Sequence, residues 1–163
     1  MKRMFVYGTL RVGMYNYEKY YGEHRSFRQN AYVKGLLYTI RGKVYPALTE
    51  GERMILGEIH EVPDEVQEAV DLMEGFFGDG NMENEYDKNI TKIYDADGNV
   101  IDCLPVYFYN VRNPRNRELL GEVISCNDYV AYLREERRTT QEGSGAASFK
   151  NSGIDMKRSI RHN

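Results

Sequence analysis

A carboxylate in an awkward place and a bared stretch of main chain are the features of this 163-residue chain that could do chemistry. Glu74 closes a helical pattern that ends Asp71-Leu72-Met73-Glu74-Gly75, and Gly75 suits the left-handed position that stops helices. A carboxylate there faces the negative end of the backbone dipoles, which raises its pKa and destabilises the helix end. Leu72, Met73, Phe76 and Phe77 surround it in sequence and would strip water from it as well. A carboxylic acid raised in this way is a general base suited to neutral pH. A solvated surface acid that tolerates the position is the other reading of the same residues.

The second feature is Phe5-Val6-Tyr7-Gly8-Thr9-Leu10-Arg11, a short apolar strand that breaks at once on a glycine. Glycine at a strand end admits dihedrals closed to other residues and removes the side chain that would hold a small molecule away from the backbone. N–H groups on such a loop can hold a carboxylate, or a carbonyl oxygen as negative charge develops on it. Strand-Gly-Thr is also an ordinary edge turn, and the pattern alone does not decide between the two.

Positioning these groups falls to strands over 4–7, Phe27–Ile40 and Met54–Val62, with a short helical stretch near Tyr15–Tyr21. Pro63-Asp64-Glu65 opens a helix with proline and acids in its first turn, and Val66, Val70, Met73 and Phe77 recur on one face. Glu85–Tyr94 and Val100–Tyr109 alternate as two strands around Asp95-Ala96-Asp97-Gly98-Asn99, a hairpin. Asn127-Asp128 caps a last helix, Tyr129–Arg138. From Thr139 the chain turns to Gly, Ser, Ala and a net positive set of isolated charges, which reads as a flexible tail or docking peptide. The expected organisation is one domain over 1–138 and a tail over 139–163.

With 41% hydrophobic residues the chain can bury one core. A net charge of −3 with scattered Lys and Arg gives no footprint for nucleic acid, and no apolar run is long enough for a membrane helix. Cys103 and Cys126 are far apart, without metal-ligand spacing, and suit a reducing cytoplasm. His24, His60 and His162 are isolated, and the acidic runs near Asp79 and Asp95 lack the glycine and closing Glu of a calcium loop. No metal or cofactor is expected. Fourteen tyrosines and no tryptophan favour a β-rich body. The same phenols, with an apolar face and a polar tip, suit a pocket for a small polar ligand.

Taken together, Tyr7-Gly8-Thr9-Leu10-Arg11 continuing through Gly13 and Asn16, and the Asp71-x-x-Glu74-Gly75 helix end, resemble the γ-glutamylcyclotransferase-like family in its branch of small bacterial and AIG2-like proteins. The resemblance covers most of residues 4–135, with Tyr45-Pro46-Ala47, Gly57-Glu58, Tyr86 and Tyr107 in the family's order. It implies an α+β fold, a small, mostly antiparallel β-barrel with flanking helices. It also implies a cofactor-free reaction in which a γ-glutamyl α-amine attacks its own γ-carbonyl, releasing 5-oxoproline and an amine or amino acid. By the same resemblance Glu74 is the catalytic acid/base. Gly8, Thr9 and Leu10 hold the γ-glutamyl head, and Tyr7 and Tyr107 line the cavity. Arg11 either attracts a substrate carboxylate or is a solvated or structural cation. Ser125-Cys126-Asn127-Asp128-Tyr129 departs from the family by a cysteine in place of glycine, and Gly78–Asn84 reads as an insertion beside the pocket mouth. A ligand-binding or regulatory module without turnover, on the same fold, is the alternative.

Overall fold

The computed structural model describes residues 1–142. Its strands are β1 (Lys2–Val6), β2 (Phe27–Ile40), β3 (Ala47–Val62), β4 (Tyr86–Tyr94), β5 (Val100–Tyr109) and β6 (Leu120–Val123). Between them lie a π-helical turn (Tyr17–Tyr21), α1 (Asp64–Met73), α2 (Pro114–Leu119) and α3 (Tyr129–Glu142). Helix α3 runs past Thr139, where the tail was expected to begin, and the rest of that expected tail lies outside the described residues.

All strand pairings are antiparallel, in the order β1-β3-β2-β4-β5, with β6 added to the edge of β2. The barrel expected from the family resemblance is not closed, because no ladder joins β1 to β5. Side chains span that seam instead. Arg3 Nη1 meets Asp102 Oδ2 at 2.6 Å, and the Tyr7 hydroxyl donates to the Tyr107 carbonyl.

Strand β3 starts at Ala47, earlier than the alternation from Met54 indicates, since a register shift between Gly35 and Leu36 carries the β2–β3 hairpin across irregular residues near Gly51. Its Gly57 leaves room for β1. A Cβ there would lie 2.4 Å from both Phe5 Cζ and the Val6 carbonyl oxygen. Phe5 is fully buried, which contributes roughly 1.5–3 kcal/mol.

Alternation along β1 sends Phe5 into one apolar cluster with Val33, Leu37, Ile55 and Tyr129, and Met4 and Val6 into another with Val70 and Tyr107. Tyr132 and Leu133 of α3 pack on the first cluster, and Val66 and Met73 of α1 on the second. Helix α1 therefore leans on the strand whose C-terminal end carries the glycine loop. It ends at Met73, one turn before Phe77, which is 56% exposed rather than part of the buried face.

Candidate active site

The end of α1 is built as its sequence indicates. Gly75 takes φ +70, the left-handed conformation that terminates a helix. A Cβ at Gly75 would sit 3.1 Å from Glu85 Cβ, and the Glu85 amide donates to the Gly75 carbonyl at 3.0 Å. The turn after the helix is thus clamped to the start of β4. Glu74, at the helix cap, is 9% exposed and points into a hollow opposite the end of β1.

That hollow is lined by Glu74, by Gly8, Thr9 and Leu10, and by the rings of Tyr7, Tyr45, Tyr86 and Tyr107. Its free volume is about 30 Å³, room for about two ordered waters. A glutamyl group is larger, so its entry requires ring movement. Of the six residues other than Glu74 that the sequence assigns to the site, Tyr7, Gly8, Thr9 and Leu10 line this space from the end of β1, and Tyr107 reaches it from β5. Tyr45, Pro46 and Tyr86 also line it. They follow the family order in the sequence but carry no local signal of a site role beyond the excess of tyrosine.

Arg11 is elsewhere. Its guanidinium meets Glu58 Oε2 at 3.2 Å and Asp128 Oδ1 at 2.7 Å, and it does not line the hollow. Of the roles open to it, this is the structural one. Glu58 also accepts from the Val12 amide at 2.9 Å and lies 2.9 Å from His60 Nε2, while His60 Nδ1 is 2.7 Å from Ser26 Oγ. Isolated in sequence, His60 is fully buried in this chain of contacts. Together they anchor the far end of the glycine loop to β3 and to the start of α3.

Burial pushes the Glu58 pKa up, but hydrogen bonds from His60, Val12 and Arg11 outweigh it and leave the carboxyl below its ordinary value. Its contribution to stability is present above the unfolded-state value of about 4.3 and is lost as pH falls through the lower folded value. Glu58→Ala leaves the buried Arg11 with Asp128 as its one remaining carboxylate and should lower stability by about 3–5 kcal/mol at pH 7 in urea unfolding. A loss under 1 kcal/mol would show that the anchor does not matter.

Gly8 does not use the dihedral freedom expected of it. The left-handed residue of the loop is Gly13, at φ +87. What Gly8 provides is space, since a Cβ would approach Pro46 Cδ to 3.1 Å. The Thr9 and Leu10 amides donate to no backbone carbonyl among the described residues, which leaves them available to a ligand. Asn16 Nδ2 donates to Thr9 Oγ1 at 3.0 Å. The buried Oδ1 of Asn16 has no partner among the described residues, an orphan acceptor beside the loop of the kind that marks a functional region.

Glu74 is pushed up to about 8, by burial first and then by the charges of Glu85 and Asp71. Of the four groups suggested by sequence, Met73 and Phe76 pack on the second apolar cluster, whereas Leu72 is 68% exposed and Phe77 faces solvent. Tyrosines from across the fold add to the drying of the carboxyl. None of their hydroxyls donates to it. Tyr7 donates to the Tyr107 carbonyl, Tyr86 to the Pro46 carbonyl at 2.6 Å, Tyr107 to Asp71 Oδ1 and Tyr45 to Glu85 Oε2 at 2.6 Å. The Gly78–Asn84 segment is held beside this region by buried Asn84, which accepts from the Phe77 amide at 2.7 Å and donates to the Gly78 carbonyl at 2.9 Å.

An open antiparallel sheet carrying a dry carboxyl opposite a glycine loop defines a small α+β domain. The description "Gamma-glutamyl cyclotransferase, AIG2-like" matches residues 4–131. The chain belongs to that family. It is 33% identical over 107 residues to the gamma-L-glutamyl-butirosin B gamma-glutamyl cyclotransferase of Niallia circulans, covering 66% of this chain and 67% of that protein. Among solved structures, it resembles an uncharacterized protein from Pyrococcus horikoshii with TM-score 0.56 and 18% identity, covering 85% of this chain and 98% of the other. An AIG2-like protein from Mus musculus follows, with TM-score 0.53 and 22% identity over 73% of this chain and 84% of the other. These two likenesses establish the fold, and the family match supports an enzyme of the cyclotransferase kind.

Proposed function

We propose that the protein cyclises a γ-glutamyl amine or γ-glutamyl amino acid to 5-oxoproline, releasing the free amine, with Glu74 as general acid/base. The observation that carries this reading is the buried carboxyl of Glu74, raised to about 8, facing the bare amides of the loop after β1. A substrate α-ammonium is mostly protonated at neutral pH, so proton transfer to an ordinary carboxylate would be several units uphill. Transfer to Glu74 is far less so, and a general base works best with its pKa near the operating pH.

The freed nitrogen attacks the γ-carbonyl carbon of the same molecule, forming the ring C–N bond. Charge that develops on the carbonyl oxygen falls to the Thr9 and Leu10 amides. Collapse breaks the bond to the leaving nitrogen, which takes the proton from Glu74; the carboxylate then removes the second proton of the ring nitrogen and passes it to the departing amine, which leaves as an ammonium with the carboxylate regenerated. Because the nucleophile and the carbonyl share one chain, folding the glutamyl arm under Tyr7, Tyr45, Tyr86 and Tyr107 supplies orientation that solution lacks. Gly8 brings the backbone close, while Tyr7 and Tyr107 close the sides.

The Niallia circulans relative is named for gamma-L-glutamyl-butirosin B, a γ-glutamyl compound, which supports the γ-glutamyl group as the part of the substrate that the site takes. A panel of γ-glutamyl amines and γ-glutamyl amino acids, incubated with the purified protein, should give 5-oxoproline and free amine in equal amounts from at least one member. A compound that binds and is recovered intact, with no product from any member, would replace the enzyme by a non-catalytic binding module.

A further inference from the structure

Each of the two acids nearest Glu74 holds the hydroxyl of a tyrosine that lines the hollow. On one side Tyr107 donates to Asp71 Oδ1, and Gln67 Nε2 donates to the Tyr107 oxygen at 2.7 Å and to Asp71 Oδ1 at 3.1 Å. Lys88 Nζ completes that group on Asp71 Oδ2 at 2.7 Å. On the other side Tyr45 donates to Glu85 Oε2 at 2.6 Å, and the Glu85 backbone N–H donates to the Gly75 carbonyl at 3.0 Å. A phenol has one proton to give. Once it is given to Asp71 or Glu85, it is not available to Glu74.

We infer that Asp71 and Glu85 are positioning residues: by taking the hydroxyl protons of Tyr107 and Tyr45 they keep Glu74 free of a tyrosine donor, so that the substrate's ammonium is the first donor it meets. The inference rests on the proposed function and gives the acids around the hollow a part in it. A hydrogen bond from a phenol would favour the ionised form of Glu74 and lower its proton affinity, leaving a poor acceptor for an ammonium. The two negative neighbours act in the opposite sense, raising its proton affinity by repulsion. The ionisable groups that face or flank Glu74 are Asp71 on its own helix, Tyr7 after β1, Tyr21 in the π-helical turn, Tyr45 before β3, Glu85, Tyr86 and Lys88 at β4, and Tyr107 on β5. Of these, only Asp71 and Glu85 combine an acceptor for a lining phenol with a charge that raises Glu74.

The pH profile of kcat/KM separates this role from a packing role. Glu85→Gln and Asp71→Asn keep an acceptor oxygen and remove the charge, and should move the acid limb to lower pH by about one unit. Glu85→Ala frees the Tyr45 hydroxyl as well, so the limb should move further and kcat should fall about tenfold. Adding Tyr45→Phe removes the stray donor and should return most of that kcat. An acid limb that stays in place in both Glu85→Gln and Asp71→Asn overturns the inference, as does a Glu85→Ala rate that Tyr45→Phe does not improve. Wild-type protein with no turnover on any γ-glutamyl compound would instead remove the function on which the inference rests.

Discussion

Glu74→Gln is expected to unfold at a higher urea concentration than the parent at pH 9, and at a similar one at pH 5. The sign follows from the raised carboxyl. An unfolded glutamate titrates near 4.3, whereas the folded one titrates near 8, so between those values the folded chain binds more protons than the unfolded one. Stability falls as pH rises through that window and levels out above the folded value. A displacement of this size corresponds to an effect on the order of 4–5 kcal/mol across the window, a large share of a small domain's total stability. Glutamine does not titrate, so it escapes the loss. Comparing the two proteins across pH removes the constant difference between an amide and an acid in the hollow. A gap that does not change between pH 5 and pH 9 would mean that Glu74 is not buried in solution as it is in the structure.

The same substitution should remove turnover. Loss of a positioned general acid/base lowers rates by on the order of 10²–10⁴-fold, and here one carboxyl serves both the attacking and the leaving nitrogen. The amide of glutamine can neither take the ammonium proton nor return it. Gly8, Thr9, Leu10 and the tyrosine walls are untouched by the change, so KM should move far less than kcat. Initial rates of 5-oxoproline release from the best compound of the panel give both numbers. A Glu74→Gln rate within threefold of the parent, on protein with parental circular dichroism, would assign the proton transfer to another group. A more stable and inactive variant is the signature of a group kept for chemistry at the expense of the fold.

Much of the framework could be read from local chemistry. Helix α1 announces itself through Pro63 and Gly75, the β4–β5 hairpin through Asp95–Asn99 between alternating runs, and α3 through its Asn127-Asp128 cap. Each signal lies within a few residues of what it controls. Elements defined by distant partners were not legible. The start of β3 at Ala47 depends on its register with β2, and β6 exists because Tyr38 and Ile40 offer an edge to Val123 and Leu120. Helix α2, although Asn113 and Pro114 begin it, is too short to show a period.

The candidate site divides in the same way. The glycine loop and Glu74 stand out because their residue types are odd for their local positions. Arg11 shows no such oddity, since Glu58 and Asp128, which pair with it, are 47 and 117 residues away. Drying of Glu74 was expected from its neighbours in sequence, but Leu72 and Phe77 face solvent. Tyr45, Tyr86 and Tyr107 dry it from other strands and loops. Closure of the sheet, too, is a property of strands β1 and β5 at opposite ends of the order, where side chains rather than a ladder fill the seam.

The most direct test is a carbon NMR titration of the Glu74 side-chain carboxyl in the wild-type protein, its resonance assigned by its absence from Glu74→Gln. The arrangement of burial, Glu85 and Asp71 around the hollow predicts a midpoint near pH 8. A midpoint near 4.3, that of a solvated glutamate, would contradict the account and leave the protein without its proton-transfer group.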